Sequence, residues 1–370
     1  MAGQTSPIGD ILSKFSDFLG GNAEKTAIGI SIGSSSIKLV ELRKIKKNWK
    51  LLHFGIVQLP DDVIANREIV NRIGVVESIK TLLSQVKLQS KSVCTAVSGN
   101  SVIIKRMSID VPKMSELQEQ VLWEAEQYLP FDVSDVVMDF QVLSRSKDYK
   151  TDIVLVAVKK GLLESYMNCV TEAGLKPKIV DVDLFALINL FEANYPVSAS
   201  EAVALVDFGA SALKLAIVQN GAPLFTKESA MGGRSLTAEI QKHLSLSYVD
   251  AETLKVGGAQ GVAIPQEVVE LMGVAAENYA GEVKRAIDYY LASATGPSVS
   301  FILLSGGGAK LPNLSKIIEE AVGVPTQNIN PFNAVSYDPA VFTQEYLAAI
   351  GPIAAVPIGL EMRMGKKLLK

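Results

Sequence analysis

The sequence contains few of the residues that metal centres, disulfide frameworks and cysteine or histidine catalysis require. Its 370 residues include two cysteines and two histidines, and none of them forms a CxxC, an HExxH or a mixed Cys/His metal spacing. The cysteines, Cys94 and Cys169, lie in apolar segments, which predicts buried free thiols in a reducing compartment. GxxxxGKS/T is also absent, so we expect no P-loop nucleotide site.

Long apolar runs and an excess of one charge are missing as well. No run of about 18 apolar residues occurs, and no basic segment precedes an apolar stretch at the N-terminus. We therefore expect a soluble protein that is not exported. The net charge is −3, from 36 basic and 39 acidic residues, so we expect no nucleic-acid partner. The length and the 48% hydrophobic content fit two or three globular domains.

What the sequence does contain is a repeated turn. Residues 30–40, ISIGSSSIKLV, align with residues 206–216, VDFGASALKLA, at an offset close to half the chain. Each copy is typical of a strand, a glycine turn and a second strand, and such a turn presents backbone N–H groups and small hydroxyls to an anion. Two facing turns could hold one polyphosphate from both sides. The candidate residues are Gly33, Ser34, Ser35, Ser36 and Lys38 in the first copy and Asp207, Gly209, Ala210 and Ser211 in the second.

The two copies differ where the first has Ser31 and the second has Asp207. Asp207 ends a buried, strand-like run, where a carboxylate is costly unless it is paired or bound to a cation. Because Mg²⁺ prefers one or two carboxylates together with phosphate oxygens, Asp207 is our candidate metal ligand. The alternative is a structural aspartate that caps the turn.

Two further segments are candidates for ligand contacts. Gly306, Gly307, Gly308 and Lys310 follow a buried strand, where glycines allow close approach of a flat ligand or a phosphate. Gly232 and Gly233 begin a helix, and Glu252 and Lys255 lie three residues apart on the face of another. These last two residues form either a surface ion pair or a holder for the two ribose hydroxyls.

The pattern between the two turns predicts an insertion. Residues 101–183 alternate as β-α-β-β-α-β, which suits a small subdomain with its own sheet. At the N-terminus, residues 7–19 predict an amphipathic helix, and packing on its own domain and binding to a partner remain open for it.

The order and spacing of these sites resemble those of the actin-like, or ribonuclease-H-like, ATPase superfamily, which includes actin, sugar kinases and FtsA. Residues 123–131, WEAEQYLPF, resemble a signature of the PilM family of type IV pilus assembly proteins. The resemblance runs from about residue 26 to 363. It implies an α/β, two-domain actin-like fold with an inserted FtsA-like 1C subdomain over about 101–176.

The resemblance also implies a division of the chain. The N-terminal extension covers 1–25, domain I covers 26–198, domain II covers 199–345, and a C-terminal helix with a basic tail covers 346–370. Within domain II, the outer part called 2B is expected at about 230–296.

By the same resemblance, ATP with Mg²⁺ would lie in the central cleft, with Gly232, Gly233, Glu252 and Lys255 holding the nucleoside. The expected partner is the short N-terminal peptide of the membrane protein PilN, docked on the 1A/1C region. The protein would be a cytoplasmic scaffold that lies at the inner membrane through its partners and links the alignment complex to other inner-membrane and motor components. Self-association is expected, and membrane contact is expected to be indirect.

Ser31 departs from the superfamily pattern, which has an acidic residue there. A serine cannot supply the charge that stabilises a transition state, and losing one such group typically costs about 2.7–4 kcal/mol. We therefore expect ATP to be bound but hydrolysed slowly or not at all. Asp181 or Asp183 is the candidate catalytic base, and capping of the following helix is the open alternative.

Two other functions remain open. One is an FtsA-like, filament-forming division protein at the membrane, although the end of this sequence is too short for the amphipathic membrane helix of FtsA. The other is a small-molecule kinase of the same superfamily, against which the insertion and the 123–131 signature argue.

Overall fold

Two mixed sheets, each with an antiparallel hairpin at the cleft, form the frame of the molecule. The computed structural model describes residues 26–46, 48–61, 63–65, 67–257, 263–293 and 296–364. The helix predicted over 7–19 and the basic tail from 366 lie outside these residues. The central strands Ser92–Val97 and Ala202–Phe208 are largely apolar and buried along their whole length, as expected for sheets that are covered on both faces.

The first sheet has six strands, which lie side by side in the order Lys176–Val182, Ser92–Val97, Thr26–Ile32, Ser36–Ile45, Asn48–Gln58 and Val335–Ser336. A tight turn at Gly33 joins the strands Thr26–Ile32 and Ser36–Ile45, and the latter pairs in antiparallel with Asn48–Gln58. Its first elements are β1 (Thr26–Ile32), β2 (Ser36–Ile45), β3 (Asn48–Gln58), the small hairpin β4 (Ile64–Ala65) and β5 (Glu68–Ile69), α1 (Arg72–Gln85) and β6 (Ser92–Val97). Asn71 caps α1, because its side chain accepts from the Gly74 N–H at 3.0 Å.

A separate three-stranded sheet follows, in the order β7-β9-β8. It consists of β7 (Val102–Asp110), α2 (Leu117–Tyr128), β8 (Val136–Arg145) and β9 (Lys150–Lys159). The apolar face of α2, with Leu117, Val121 and Ala125, packs on the sheet in a small core of its own.

The last two elements of the predicted β-α-β-β-α-β block lie elsewhere. β10 (Lys176–Val182) pairs in parallel with β6 of the six-stranded sheet. α3 (Lys160–Glu172) sends Leu163, Tyr166 and Cys169 into the core under that sheet. The expectation of one sheet for the whole block was wrong here, because the alternation of elements does not determine which sheet a strand joins. The domain boundaries stay predictions.

The second sheet repeats the plan of the first, in the order β13-β12-β11-β14-β15. Its strands are β11 (Ala202–Phe208), β12 (Leu213–Gln219), β13 (Ala222–Ser229), β14 (Val299–Ser305) and β15 (Thr326–Asn328). The helices around it are α5 (Gly233–Leu244), α6 (Tyr248–Gly257), α7 (Gln266–Ser293) and α8 (Leu314–Val322).

Two helices lie between the two sheets and join them. They are α4 (Asp183–Asn194) and α9 (Gln344–Met364), and the short strand β16 (Val335–Ser336) precedes α9. One buried cluster unites Leu42 of the first sheet, Leu187 of α4, Leu205 of the second sheet and Ile358 of α9. The close contact of α4 with α9 requires a glycine at 359, since a Cβ there would overlap the Ala186 carbonyl.

Among the described helices, α9 is the one long and apolar enough to cross a membrane by length and composition. Its most apolar stretch is 67% buried inside the protein. Such burial is the mark of a core helix of two packed layers.

Candidate functional site

The two repeated turns have the same geometry. The Gly33 N–H donates to the Ser36 carbonyl at 3.1 Å, and the Gly209 N–H donates to the Ala212 carbonyl at 2.8 Å. The strand registers also match, because Ser31 lies opposite Lys38 in β1/β2 and Asp207 lies opposite Lys214 in β11/β12. The sequence repeat is therefore a repeat in three dimensions, with a lysine opposite each of the two differing positions.

Asp207 lies at the centre of a buried polar cluster. Its side chain accepts a hydrogen bond at Oδ1 from the Ser305 hydroxyl, at 3.0 Å. Its other oxygen, Oδ2, is 3.7 Å from the Lys214 ammonium. Both Asp207 and Lys214 are 8% exposed. The end of β14 and the hairpin β11/β12 thus bring a hydroxyl, a carboxylate and an ammonium together.

Asp183 completes this cluster from the other side. Its Oδ2 lies 2.5 Å from the Lys214 Nζ. Asp183 is the first residue of α4, and Val182 holds the N-cap position. The structure therefore places the Asp183 carboxylate beside Lys214, and both interpretations given to this residue stay predictions.

Asp181, the other candidate base, lies away from this cluster. Its Oδ1 accepts from the Val182 N–H at 2.8 Å, and its Oδ2 is 3.6 Å from the Arg363 Nε of α9. Asn189 of α4 is a further contact, at 3.5 Å. Asp181 therefore lies where α4 and α9 pack together. The catalytic roles of Asp181 and Asp183 stay predictions.

The two lysines of the repeat differ in their electrostatics. Burial is the largest influence on the Lys214 pKa and would lower it, but Asp183 and Asp207 together outweigh burial and raise this pKa. For Lys38, burial prevails and lowers the pKa, although Asp207 and Asp183 oppose it. Lys38 has no ion-pair partner within 4 Å in the described part of the chain. It is therefore the cleft cation that is available to an anionic ligand.

The glycines of the cleft are required by close backbone packing. Gly306 has φ 84° and ψ 173°, a conformation almost restricted to glycine. A Cβ there would also run into the Phe208 carbonyl and the Asp207 side chain. Gly308 packs against the Phe208 side chain, and Gly307 and Lys310 begin and end a short 3₁₀ turn. This segment therefore lies directly on the second turn.

The second turn is fixed to the start of α5. The Gly233 N–H donates to the Gly209 carbonyl at 3.0 Å, and the Arg234 N–H donates to the Ala210 carbonyl at 2.8 Å. A Cβ at Gly232 would run into the Ala210 backbone. The predicted glycine pair therefore positions this helix on the turn.

Glu252 and Lys255 belong to a half-buried network. The Lys255 Nζ lies 2.6 Å from the Glu252 carboxylate and donates to the Gly233 carbonyl at 3.1 Å. The Thr237 hydroxyl donates to Glu252 at 2.6 Å. These contacts connect α6 to the start of α5. Glu252 and Lys255 are therefore more than a surface ion pair, and their role in binding the ribose stays a prediction.

Two cleft residues were not among the predicted site residues. Lys214 could have been found, because it aligns with Lys38 in the repeat. Arg234 gave no local signal: its guanidinium donates to the Ser34 carbonyl at 2.8 Å and to the Ile64 carbonyl at 3.2 Å. It thereby connects the start of α5 to the first turn.

The residues fit an anionic nucleotide. Asp207, the predicted metal ligand, already contacts the Ser305 hydroxyl and the Lys214 ammonium, and its role toward a metal stays a prediction. Two glycine turns, one available lysine and a glycine strip close to the cleft backbone form a cradle for an anionic, flat ligand. Within the described ranges, no group of three or more His, Cys, Asp or Glu side chains could hold a metal ion.

Comparisons with known proteins agree with this architecture. The family model described as type IV pilus assembly protein PilM matches residues 29–365. The solved structure of a PilM-PilN type IV pilus biogenesis complex is 25% identical, with a TM-score of 0.84, over 94% of this chain and 100% of that chain.

A more distant solved structure shows the same fold, and a sequence relative is found as well. MreB 5 of Spiroplasma citri bound to AMPPNP is 13% identical, with a TM-score of 0.52, over 91% of this chain and 95% of that chain. The cell division protein FtsA of Bacillus subtilis is 24% identical over 63% of this chain. The matched part covers 58% of the length of that FtsA. The predicted actin-like fold is confirmed, and the chain belongs to the PilM family of type IV pilus assembly proteins.

Proposed function

We propose that this protein is an ATP-binding adaptor of type IV pilus assembly that captures the N-terminal peptide of PilN. The pilus role follows from the family. The observation that carries the nucleotide site is the pair of matched turns with Lys38 between them. In this proposal the phosphates lie against the N–H groups of the turns at Gly33 and Gly209, and Lys38 binds a phosphate oxygen.

The nucleoside would lie toward domain II. Gly306–Gly308 support this, because they bring the backbone to the second turn without side chains that would fill the cleft. The Glu252–Lys255–Thr237 network lies at the start of α5 and is the candidate holder of the ribose. When bound, ATP would place its negatively charged phosphates between the two turns and so contact both domains.

The PilN peptide is proposed to dock where the three-stranded subdomain meets domain I. A cavity of about 480 Å³ lies at this junction. Its walls come from β5, from the start of β7 and from the link between β9 and α3, with Glu68, Ser101, Lys159 and Lys160 among the lining residues. The structure of a PilM-PilN complex gives this partner its support.

The remaining parts of the proposal concern location and assembly. A cytoplasmic position at the inner membrane through PilN and other pilus components, and self-association into a layer, would follow from an adaptor role. Turnover of ATP is proposed to be slow, because Ser31 leaves the first turn without a carboxylate.

Calorimetry with the full chain tests the proposal. A synthetic PilN N-terminal peptide is titrated into the protein with and without ATP, and saturable binding is expected. The control is a peptide of the same composition in scrambled order. Absence of binding in both nucleotide states would contradict the adaptor role.

A further inference from the structure

The ammonium of Lys214 lies where a divalent cation would otherwise be placed. Asp183 and Asp207 approach one point in the cleft from two domains, and two carboxylates beside phosphate-binding turns are a common setting for Mg²⁺. Here the Lys214 Nζ occupies that point, at 2.5 Å from Asp183 Oδ2 and 3.7 Å from Asp207 Oδ2. We propose that Lys214 is a built-in counter-cation and that this chain binds nucleoside triphosphate without a divalent metal, an inference that rests on the proposed nucleotide site.

The carboxylate oxygens are already in use. Asp207 Oδ1 accepts from the Ser305 hydroxyl at 3.0 Å, and its Oδ2 faces Lys214. The metal would have to displace an ammonium that is only 10% exposed at its side chain. A displaced ammonium in such a buried position would remain unpaired, which is strongly unfavourable.

The side chains of the cleft supply their own positive charge. Asp183 and Asp207 both lie within 4 Å of the Lys214 ammonium. Lys38 adds a second positive charge that has no ion-pair partner among the described residues and is available to the phosphates. The first copy of the repeat has Ser31 where the second has Asp207, so the first turn offers no carboxylate to a metal ion. In this proposal the first turn binds the phosphates through Lys38 and backbone N–H groups. The positive charge beside the second turn is Lys214 on β12.

The test is the dissociation constant of ATP, measured by calorimetry on the full chain in EDTA and again in excess Mg²⁺. The wild-type protein is expected to bind with constants that differ by less than about threefold. A weakening of tenfold or more in EDTA would overturn the inference while leaving the proposed nucleotide site intact. Absence of ATP binding in both buffers would overturn both.

Variants at Lys214 sharpen the comparison. Lys214→Met keeps the side-chain length but removes the charge, so ATP binding in EDTA is expected to weaken at least tenfold and to be restored in part by Mg²⁺. Lys214→Arg keeps the charge and is expected to keep metal-independent binding. Lys316→Met, on the exposed face of α8, is the control and should behave as wild type. Circular dichroism checks folding, and the wild-type comparison decides the question if Lys214→Met does not fold.

Discussion

The Lys214 ammonium and the Asp183 carboxylate are 2.5 Å apart, and they come from the two halves of the molecule. Lys214 lies on β12 of the second sheet, whereas Asp183 begins α4 directly after β10 of the first. Their contact therefore joins the two sheets at the base of the cleft, beside Asp207. A ligand that approaches this point meets an electrostatic network that both domains build.

Gly306→Ala is expected to destabilise the protein and to abolish nucleotide binding. The backbone there is at φ 84° and ψ 173°, where a side chain costs about 1–3 kcal/mol, and the new Cβ would press on the Phe208 carbonyl. The measurements are the free energy of unfolding in urea and the dissociation constant of ATP. Gly273→Ala on the exposed face of α7 is the control, because the space around its Cβ position is open and it lies outside the proposed site. Equal effects of the two substitutions would contradict the prediction.

The two turns could be predicted from the sequence, whereas the contacts between distant segments could not. Each turn lies within one short segment, so the repeat predicted both turns and the strands on either side of them. The pairs Lys214–Asp183 and Arg234–Ser34 join distant segments, and no local pattern indicates them. The same reason explains β10, whose partner β6 lies far upstream in the chain.

Other outcomes depended on burial. The prediction of free, buried thiols at Cys94 and Cys169 is confirmed, because apolar neighbours on both sides of a residue indicate burial directly. The network of Glu252 and Lys255 was harder to predict. A spacing of three residues indicates a shared helix face, but only the packing of α6 on α5 shows that this face is covered.

Arg234→Met is expected to weaken the connection between α5 and the first turn and to destabilise the protein. The substitution removes two hydrogen bonds from a charged donor to the Ser34 and Ile64 carbonyls, and each such bond contributes about 1.5–3 kcal/mol. We expect the free energy of unfolding in urea to fall by about 2 kcal/mol or more. Arg72→Met, which removes an exposed ion pair with Glu172, serves as the control and should change it by less than about 1 kcal/mol. Similar losses in the two variants would count against a bridging role.

The cysteines provide a test of burial through pH. Burial raises the pKa of the Cys169 thiol to about 11 and that of the Cys94 thiol well above its ordinary value. Both thiols therefore stay protonated in the native protein at pH 8.5, where unfolded thiols with pKa about 8.5 are half ionised. We expect a thiol reagent such as DTNB to react slowly with the native chain and rapidly in guanidinium chloride. Rapid reaction of two thiols in the native state would contradict the described burial.

The same thiols give a stability prediction with a definite sign. Because the folded pKa lies above the unfolded pKa, the native state holds its protons longer, and this contribution is present below the unfolded value. It is lost as the pH rises from about 8.5 toward about 11. Cys169→Ala should therefore flatten the decline of the free energy of unfolding between pH 8.5 and 10.5. An unchanged slope in that variant would show that other groups carry the decline.

Ser31→Asp is expected to raise ATP turnover. Ser31 lies opposite Lys38 in the β1/β2 register, as Asp207 lies opposite Lys214 in the second copy, so an aspartate restores the symmetry of the two turns. Since one well-placed charge lowers a barrier by about 2.7–4 kcal/mol, we expect phosphate release in Mg²⁺ to increase at least tenfold. Ser31→Asn has nearly the same shape without the charge and should leave turnover at the wild-type level. Equal phosphate release from the aspartate variant and the wild type would contradict the assignment of slow turnover to Ser31, whereas an equal rise in both variants would point to shape and not charge.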